Sequence, residues 1–236
     1  MGGPFSLERW ALLFRDRDIF IHGFLVTLGV AALALLLAVV IGIIFGLFSV
    51  SRIKVLTSFS RAYIEFFQNT PLAIQIYFYY FALPFIGIVI PVFFLGVLGV
   101  GLYHGAYVAE VVRAGIQSIP SGQMEAAKSQ GFVFTQSMRY IIIPQTVKII
   151  LPPLTNQAVN LIKNTSVLSV ISGGDLMYSA NVWSSSGTLS YGPAFVTAGV
   201  LYFLICFPLA TWARKYEERL KNKETLIISK ELSEIN

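Results

Sequence analysis

The sequence predicts an all-α integral membrane protein with about five transmembrane helices, and three observations lead there. Hydrophobic residues make up 56% of the chain and charged residues only 12%, with a mean hydropathy of +0.71. The apolar residues come in long runs, leaving too little polar surface for a soluble domain of this length. Lys and Arg gather mostly between the runs or near their ends. A spanning helix needs about 20 mostly apolar residues, and the stretches 19–50, 59–83, 88–114, 140–161 and 193–213 meet that need. A soluble protein of buried helices would require partners over nearly every face.

Residues 1–18 form a polar segment that mixes Arg9, Arg15 and Arg17 with Glu8, Asp16 and Asp18, and no small-residue cleavage site follows a short apolar core, so this is not a cleaved signal peptide. The first span carries Gly29, Gly42 and Gly46, which let another backbone approach closely. The second contains Glu65, Gln68, Asn69, Thr70, Pro71 and Gln75. At about 1.5 Å per residue from Arg61, Asn69 to Pro71 lie roughly 12 to 15 Å into the bilayer, where Pro71 frees a carbonyl. Polar groups at that depth usually face a bundle interior or a water-filled path; a polar seam joining helices is the other reading. The third span holds His104, which reads as packed because no second His or Cys stands at metal spacing. Glu110, one turn before Arg113, reads as an ion pair or helix-end contact.

Between spans three and four, within a loop at 115–139, Ile119 to Gly131 is a short polar stretch. Pro120 disfavours helix before it, Ser121 is a suitable N-cap, Glu125 and Lys128 suit opposite ends of the dipole, and Gly131 suits a left-handed stop. A helix of about two to three turns is unstable alone in water and needs a surface to lie on, either its own membrane domain or, as expected here, another protein. Span four ends in Asn156, Asn160 and Lys163, spaced to share one face as a polar stripe, followed by Thr165 and Ser166. The run Ser172-Gly173-Gly174-Asp175 implies an irregular segment before span five, and 214–236 is a charged tail.

Arg52, Lys54 and Arg61, then Arg113, Lys128 and Arg139, then the tail cations fall on one side of a five-span arrangement. The positive-inside rule therefore puts the N-terminus outside and both the short helix and the C-terminal tail in the cytoplasm. The formal charge of +5 has this explanation in preference to nucleic-acid binding. Cys206 stands alone in an apolar span, which excludes a disulfide framework. There is no glycine-rich phosphate loop ending in Gly-Lys-Ser/Thr, and no nucleophile with a base and an orienting group. Energy-driven work would draw its energy from a partner.

Glu125-Ala126-Ala127, then Gly131, then Ile141 and Ile143-Pro144 resembles the cytoplasmic loop, the EAA loop, of membrane subunits of bacterial ATP-binding-cassette importers, with Ile143 where Leu is usual. Asn69-Thr70-Pro71-Leu72 with Gln75, the run from Ala106 to Ile116, and Lys163-Asn164-Thr165-Ser166 look like permeases for polar amino acids. Gln68 stands where Arg is frequent and Asn164 where Asp is frequent. The resemblance covers about 20–213. It implies a permease domain at 19–213 in the bacterial inner membrane, paired with itself or with a related subunit. Cytoplasmic ATPase subunits would carry ATP and Mg, this chain holding no cofactor or metal, and an external binding protein would deliver a small amino acid. Ser121, Glu125, Ala126, Ala127 and Gly131 would couple to the ATPase.

The expected substrate path runs along Glu65, Asn69 and Thr70, then Asn156, Asn160, Lys163, Thr165 and Ser166. Glu65 would favour a cationic amino acid, unless it simply pairs with Arg61 one turn away. A passive channel or ion-coupled carrier would use the same stripe without a docking helix, and a membrane-embedded enzyme lacks a recognisable motif.

Overall fold

A computed structural model describes residues 3–186 and 190–235, with backbone alone for 221 and 223–235. All regular structure among them is helical: α1 (Leu7–Arg15), α2 (Arg17–Ser49), α3 (Lys54–Gln68), α4 (Leu72–Tyr77), α5 (Val92–Gln117), α6 (Ser121–Ser129), α7 (Phe134–Ser137), α8 (Ile143–Asn164), α9 (Leu176–Ser185) and α10 (Tyr191–Ile235). Three helical stretches are long and apolar enough to cross a membrane, Arg17–Ser49, Val92–Gln117 and Tyr191–Leu220. The remaining expected spans depart from that form for visible reasons. The second is broken at Asn69–Pro71 and continues through α4 into a π turn and a 3-10 turn ending at Ile86. The fourth, α8, carries Lys148, Pro152, Pro153 and its polar stripe, which lower its hydropathy.

The bundle is built on α2 and α5, which run parallel with their backbones in close approach. A Cβ added at Gly46 would lie 2.6 Å from Cβ of Val112, and one at Gly101 2.7 Å from Cδ2 of Leu37. Real Cβ atoms do not approach that closely, so these helices meet only because glycine stands there. Ala31, Ala34 and Ala38 of α2 fill the same seam with Val100 and Val108 of α5. The α3–α4 pair and α8 run the opposite way: Ser60 in the first half of α3 lies beside the end of α2, its hydroxyl donating to Phe45 O at 2.7 Å. Gly115 at the end of α5 meets Ile150 early in α8, while His104 meets Asn164 at the end of α8.

One end of the bundle gathers α6, α7 and the α2–α3 turn, and the other gathers α1, α9 and the start of α10. At the α9 end, Phe20, Leu176, Ala180, Trp183, Ala194 and Ala198 form a small core. There the Trp183 indole donates to Asp16 at 3.0 Å, and this bond, with a lesser one from Arg15, holds the Asp16 carboxyl below the usual range. The observed Asp175 caps α9, its side chain accepting from Met177 N at 3.0 Å.

Gly101→Ala should destabilise the chain by about 1–3 kcal/mol through overpacking. Adding Leu37→Ala should restore part of that loss, read as thermal unfolding in detergent; an unchanged midpoint in Gly101→Ala would remove the close-packing account.

Candidate functional site

The break in the second expected span is satisfied from within. Pro71 has no N–H to donate, and Asn69 and Thr70 terminate α3 by donating back to it: Nδ2 of Asn69 to Glu65 O at 2.7 Å, and Oγ1 of Thr70 to Phe66 O at 2.8 Å. Gln75, buried at 5% exposure, reaches back from α4, its Nε2 lying 2.6 Å from Thr70 Oγ1, 3.2 Å from Thr70 O and 3.3 Å from Phe67 O. Backbone groups freed in a membrane interior must find such partners. Sequence reasoning placed Gln75 among the polar residues of this span but did not assign it this role.

Between α5 and α8 lies an open cavity of about 380 Å³ lined by Tyr103, His104, Tyr107, Gln157, Asn160, Lys163 and Asn164. Two geometric facts set its chemistry. The Tyr103 and Tyr107 hydroxyls, one turn apart on α5, share a hydrogen bond of 3.1 Å. Nδ2 of Asn164 lies 3.0 Å from Nε2 of His104, so the amide donates to an unprotonated ring nitrogen. His104 is 2% exposed, in keeping with its reading as a packed residue. The lining thus offers amides, phenols and the Lys163 ammonium, and contains no carboxylate.

Of the residues expected along a path, Asn160 and Lys163 line this cavity. Asn156 is exposed on the same face of α8 but outside the lining. Thr165 is fully buried, its hydroxyl donating to Ile162 O at 2.7 Å, and Ser166 donates to Lys163 O at 2.7 Å. Tyr103, Tyr107, Gln157 and Asn164 were not expected there. The pair Tyr103 and Tyr107 at i, i+4 was the available signal, but only the packing of α8 shows which face of α5 they share.

Glu65 lies elsewhere, in a second cavity of about 420 Å³ at the α6 end, lined among others by Arg61, Gln68, Glu110, Arg113 and Gln117. Its carboxylate is 3.9 Å from Arg61 Nε, the pairing foreseen one turn away. Glu110 accepts from both Nε and Nη2 of Arg113, whose Nη1 donates to Gln117 at 2.6 Å. The ion pair expected of Glu110 is therefore formed.

The helix α6 follows its sequence signals with one correction. Pro120, not Ser121, occupies the N-cap position, and Ser121 is the first helical residue, because proline's fixed φ of −54° suits the entry and no side chain caps the helix. At the other end Gly131 has φ +85°, Gly131 N donates to Lys128 O at 2.9 Å and Phe132 N to Ala127 O at 3.1 Å, the paired bonds of a Schellman stop. Ser121, Glu125, Ala126 and Gly131 are exposed. Ala127, at 2% exposure, faces inward and seats the helix on its own chain. Among the described residues no group of His, Cys, Asp and Glu side chains converges as a metal site would.

Comparison with known proteins places this geometry. The family of binding-protein-dependent transport system inner membrane components matches residues 38–222. The chain is 39% identical over 211 residues to the "Probable glutamine ABC transporter permease protein GlnM" of Bacillus subtilis, covering 89% of this chain and 97% of that one. It is 30% identical over 205 residues to the "Arginine transport system permease protein ArtQ" of the same organism, covering 86% and 93%. A crystal structure of an amino acid ABC transporter with histidines superimposes with a TM-score of 0.82 at 34% identity, covering 89% of this chain and 97% of that chain. An inward-facing methionine transporter, MetNI, shares the fold at a TM-score of 0.70 and 19% identity. The chain belongs to the binding-protein-dependent transport system inner membrane components, the multi-pass permease subunits of ATP-binding-cassette importers, in which ATP hydrolysis resides on a separate subunit.

Proposed function

We propose that this chain forms the translocation path of an ATP-driven importer for a neutral polar amino acid, in the bacterial inner membrane. The observation that carries this reading is the α5–α8 cavity, whose lining pairs one ammonium with amides and phenols. A zwitterion needs partners for its charges, since a buried unpaired charge costs several kcal/mol. Lys163 suits the α-carboxylate, the phenols and amide oxygens suit the α-ammonium, and Gln157 and Asn160 suit a side-chain amide. The names of the relatives, glutamine for one and arginine for another, bracket the choice. The absence of a carboxylate in this lining favours the neutral substrate over the cationic one that Glu65 suggested from sequence.

ATP-dependent uptake in proteoliposomes with the partner ATPase and binding protein tests this. Glutamine should be taken up in preference to arginine. Asn160→Leu should lower uptake about tenfold, the scale of one lost buried hydrogen bond, and Asn164→Asp should shift preference toward arginine. Glu65→Gln should leave the ratio of the two unchanged. Equal uptake of both by the wild type, or no change in Asn160→Leu, would dismiss the cavity as the selective element.

We further infer that α2, the α3–α4 pair, α5, α8 and α10 are five membrane crossings. In this arrangement the N-terminus lies outside, and α6 and the tail lie in the cytoplasm. The alternating directions of these segments and the basic residues at the α6 end support it. After Cys206 is replaced, a cysteine substituted at Ser121 should react with an impermeant thiol reagent only from the cytoplasmic side, and one at Gly3 only from outside. Reversed labelling would overturn the orientation.

In this reading α6 docks in the ATPase through its exposed residues Ser121, Glu125, Ala126 and Gly131, while Ala127 transmits the motion inward. A second permease chain, identical or related, completes the path, with ATP and Mg held by the ATPase and no cofactor by this chain. Gly131→Val places a β-branched residue at positive φ, which is strained by about 1–2 kcal/mol or more. It should leave the membrane bundle folded yet abolish uptake and loosen the ATPase. Wild-type uptake by that variant would refute the coupling role.

A further inference from the structure

The α2–α3 turn carries a cluster of cations that agrees in sign with a cytoplasmic position and, apart from Arg61, lies outside both polar cavities described above. Arg52, Lys54 and Arg61 line a cavity of about 230 Å³ together with Ser51, Thr57 and Ser58. All three cations are exposed. Among the described residues no carboxylate pairs with Arg52 or Lys54, and Arg61 has only Glu65 at 3.9 Å. Convergent cations without counter-charge repel one another, and an anion between them removes that cost.

The surroundings say which kind of anion. The cavity opens where α2 ends at Ser49, at the boundary of a bilayer-crossing helix. Near it in the chain large apolar side chains are exposed: Ile53 is 59% exposed, Val55 76%, Phe59 59% and, toward the end of α2, Ile44 43%. A soluble anion needs only the cations, whereas the helix that carries this pocket also presents exposed apolar side chains on its flanks, of the kind that acyl chains cover. Basic pockets beside spanning helices bind lipid head groups in this way.

We propose that Arg52, Lys54 and Arg61 form a binding site for the phosphate of an anionic phospholipid whose acyl chains lie against Ile53, Val55 and Phe59. The site touches the docking region, since the Arg52 guanidinium sits 5.1 Å from the centre of the Phe134 ring, in the segment that leaves α6. A bound head group thereby fixes the α2–α3 turn beside the exit of α6.

Native mass spectrometry of the purified chain, loaded from mixed phosphatidylglycerol and phosphatidylcholine, tests the site independently of transport. The wild type should retain phosphatidylglycerol preferentially. Each of Arg52→Gln and Lys54→Gln should lower that retention about fivefold, the size expected of a surface cation near anionic lipid, while Lys215→Gln in the tail should not. Should the Arg52 variant unfold, the Lys54 variant alone decides. Equal retention by Lys54→Gln and wild type, or an equal loss in Lys215→Gln, would overturn the site. Displacement of the lipid by inorganic phosphate at matching concentration would overturn the lipid as its occupant.

Discussion

The close approach of α2 and α5 is the constraint on which the rest depends. Lipid offers no hydrophobic force to press helices together, so association relies on packing and hydrogen bonds. Gly42 and Gly46 on α2 and Gly101 on α5 remove the side chains that would hold the backbones apart, and Val108, Val112 and Leu37 occupy the space. With one face of α5 committed to α2, its remaining surface holds Tyr103, Tyr107, Glu110 and Arg113 toward α8 and α3. The positions of both polar cavities follow from that seam.

The polar residues of the broken span serve two ends that sequence alone does not separate. Asn69 and Thr70 look like lining for a polar path, and their donors are directed back to α3 carbonyls. Gln75 closes the gap that Pro71 opens. A discontinuous helix inside a bundle is tolerated when its freed groups are satisfied by protein. Satisfying the break and serving a substrate are compatible, because Asn69 retains its amide oxygen.

A division of charge runs along α5. Near the α9 end its polar face is made of phenols and a neutral imidazole, with Lys163 across from it. Near the α6 end Glu110 and Arg113 neutralise each other, and Arg61 and Glu65 stand opposite at longer range. The cavity beside Lys163 thus carries a single net charge, and the one at the α6 end balanced charges. Neutral amides bind without trapping, since each hydrogen bond gained replaces one to water.

The amino-acid sequence determined the class of the molecule and its punctuation, because these rest on local physics. Runs of apolar residues are incompatible with water whatever the fold, and Pro120 and Gly131 bound α6 through their own backbone preferences. The Glu65–Arg61 pairing and the Glu110–Arg113 pair were legible for the same reason, being neighbours on one helix. What only the tertiary structure decided is which side chains meet across helices. Asn160 and Lys163 share a face by helical period, whereas Thr165, two residues beyond Lys163, falls on the opposite side of the helix. Packing of that side against the bundle buries Thr165 completely, its hydroxyl donating to Ile162 O where the chain enters a 3-10 turn. Tyr107 and Gln157 become one cavity wall through packing of α5 on α8, and Ala127 faces inward because α6 lies on its own chain. Such contacts join residues far apart in sequence, so no local spacing encodes them.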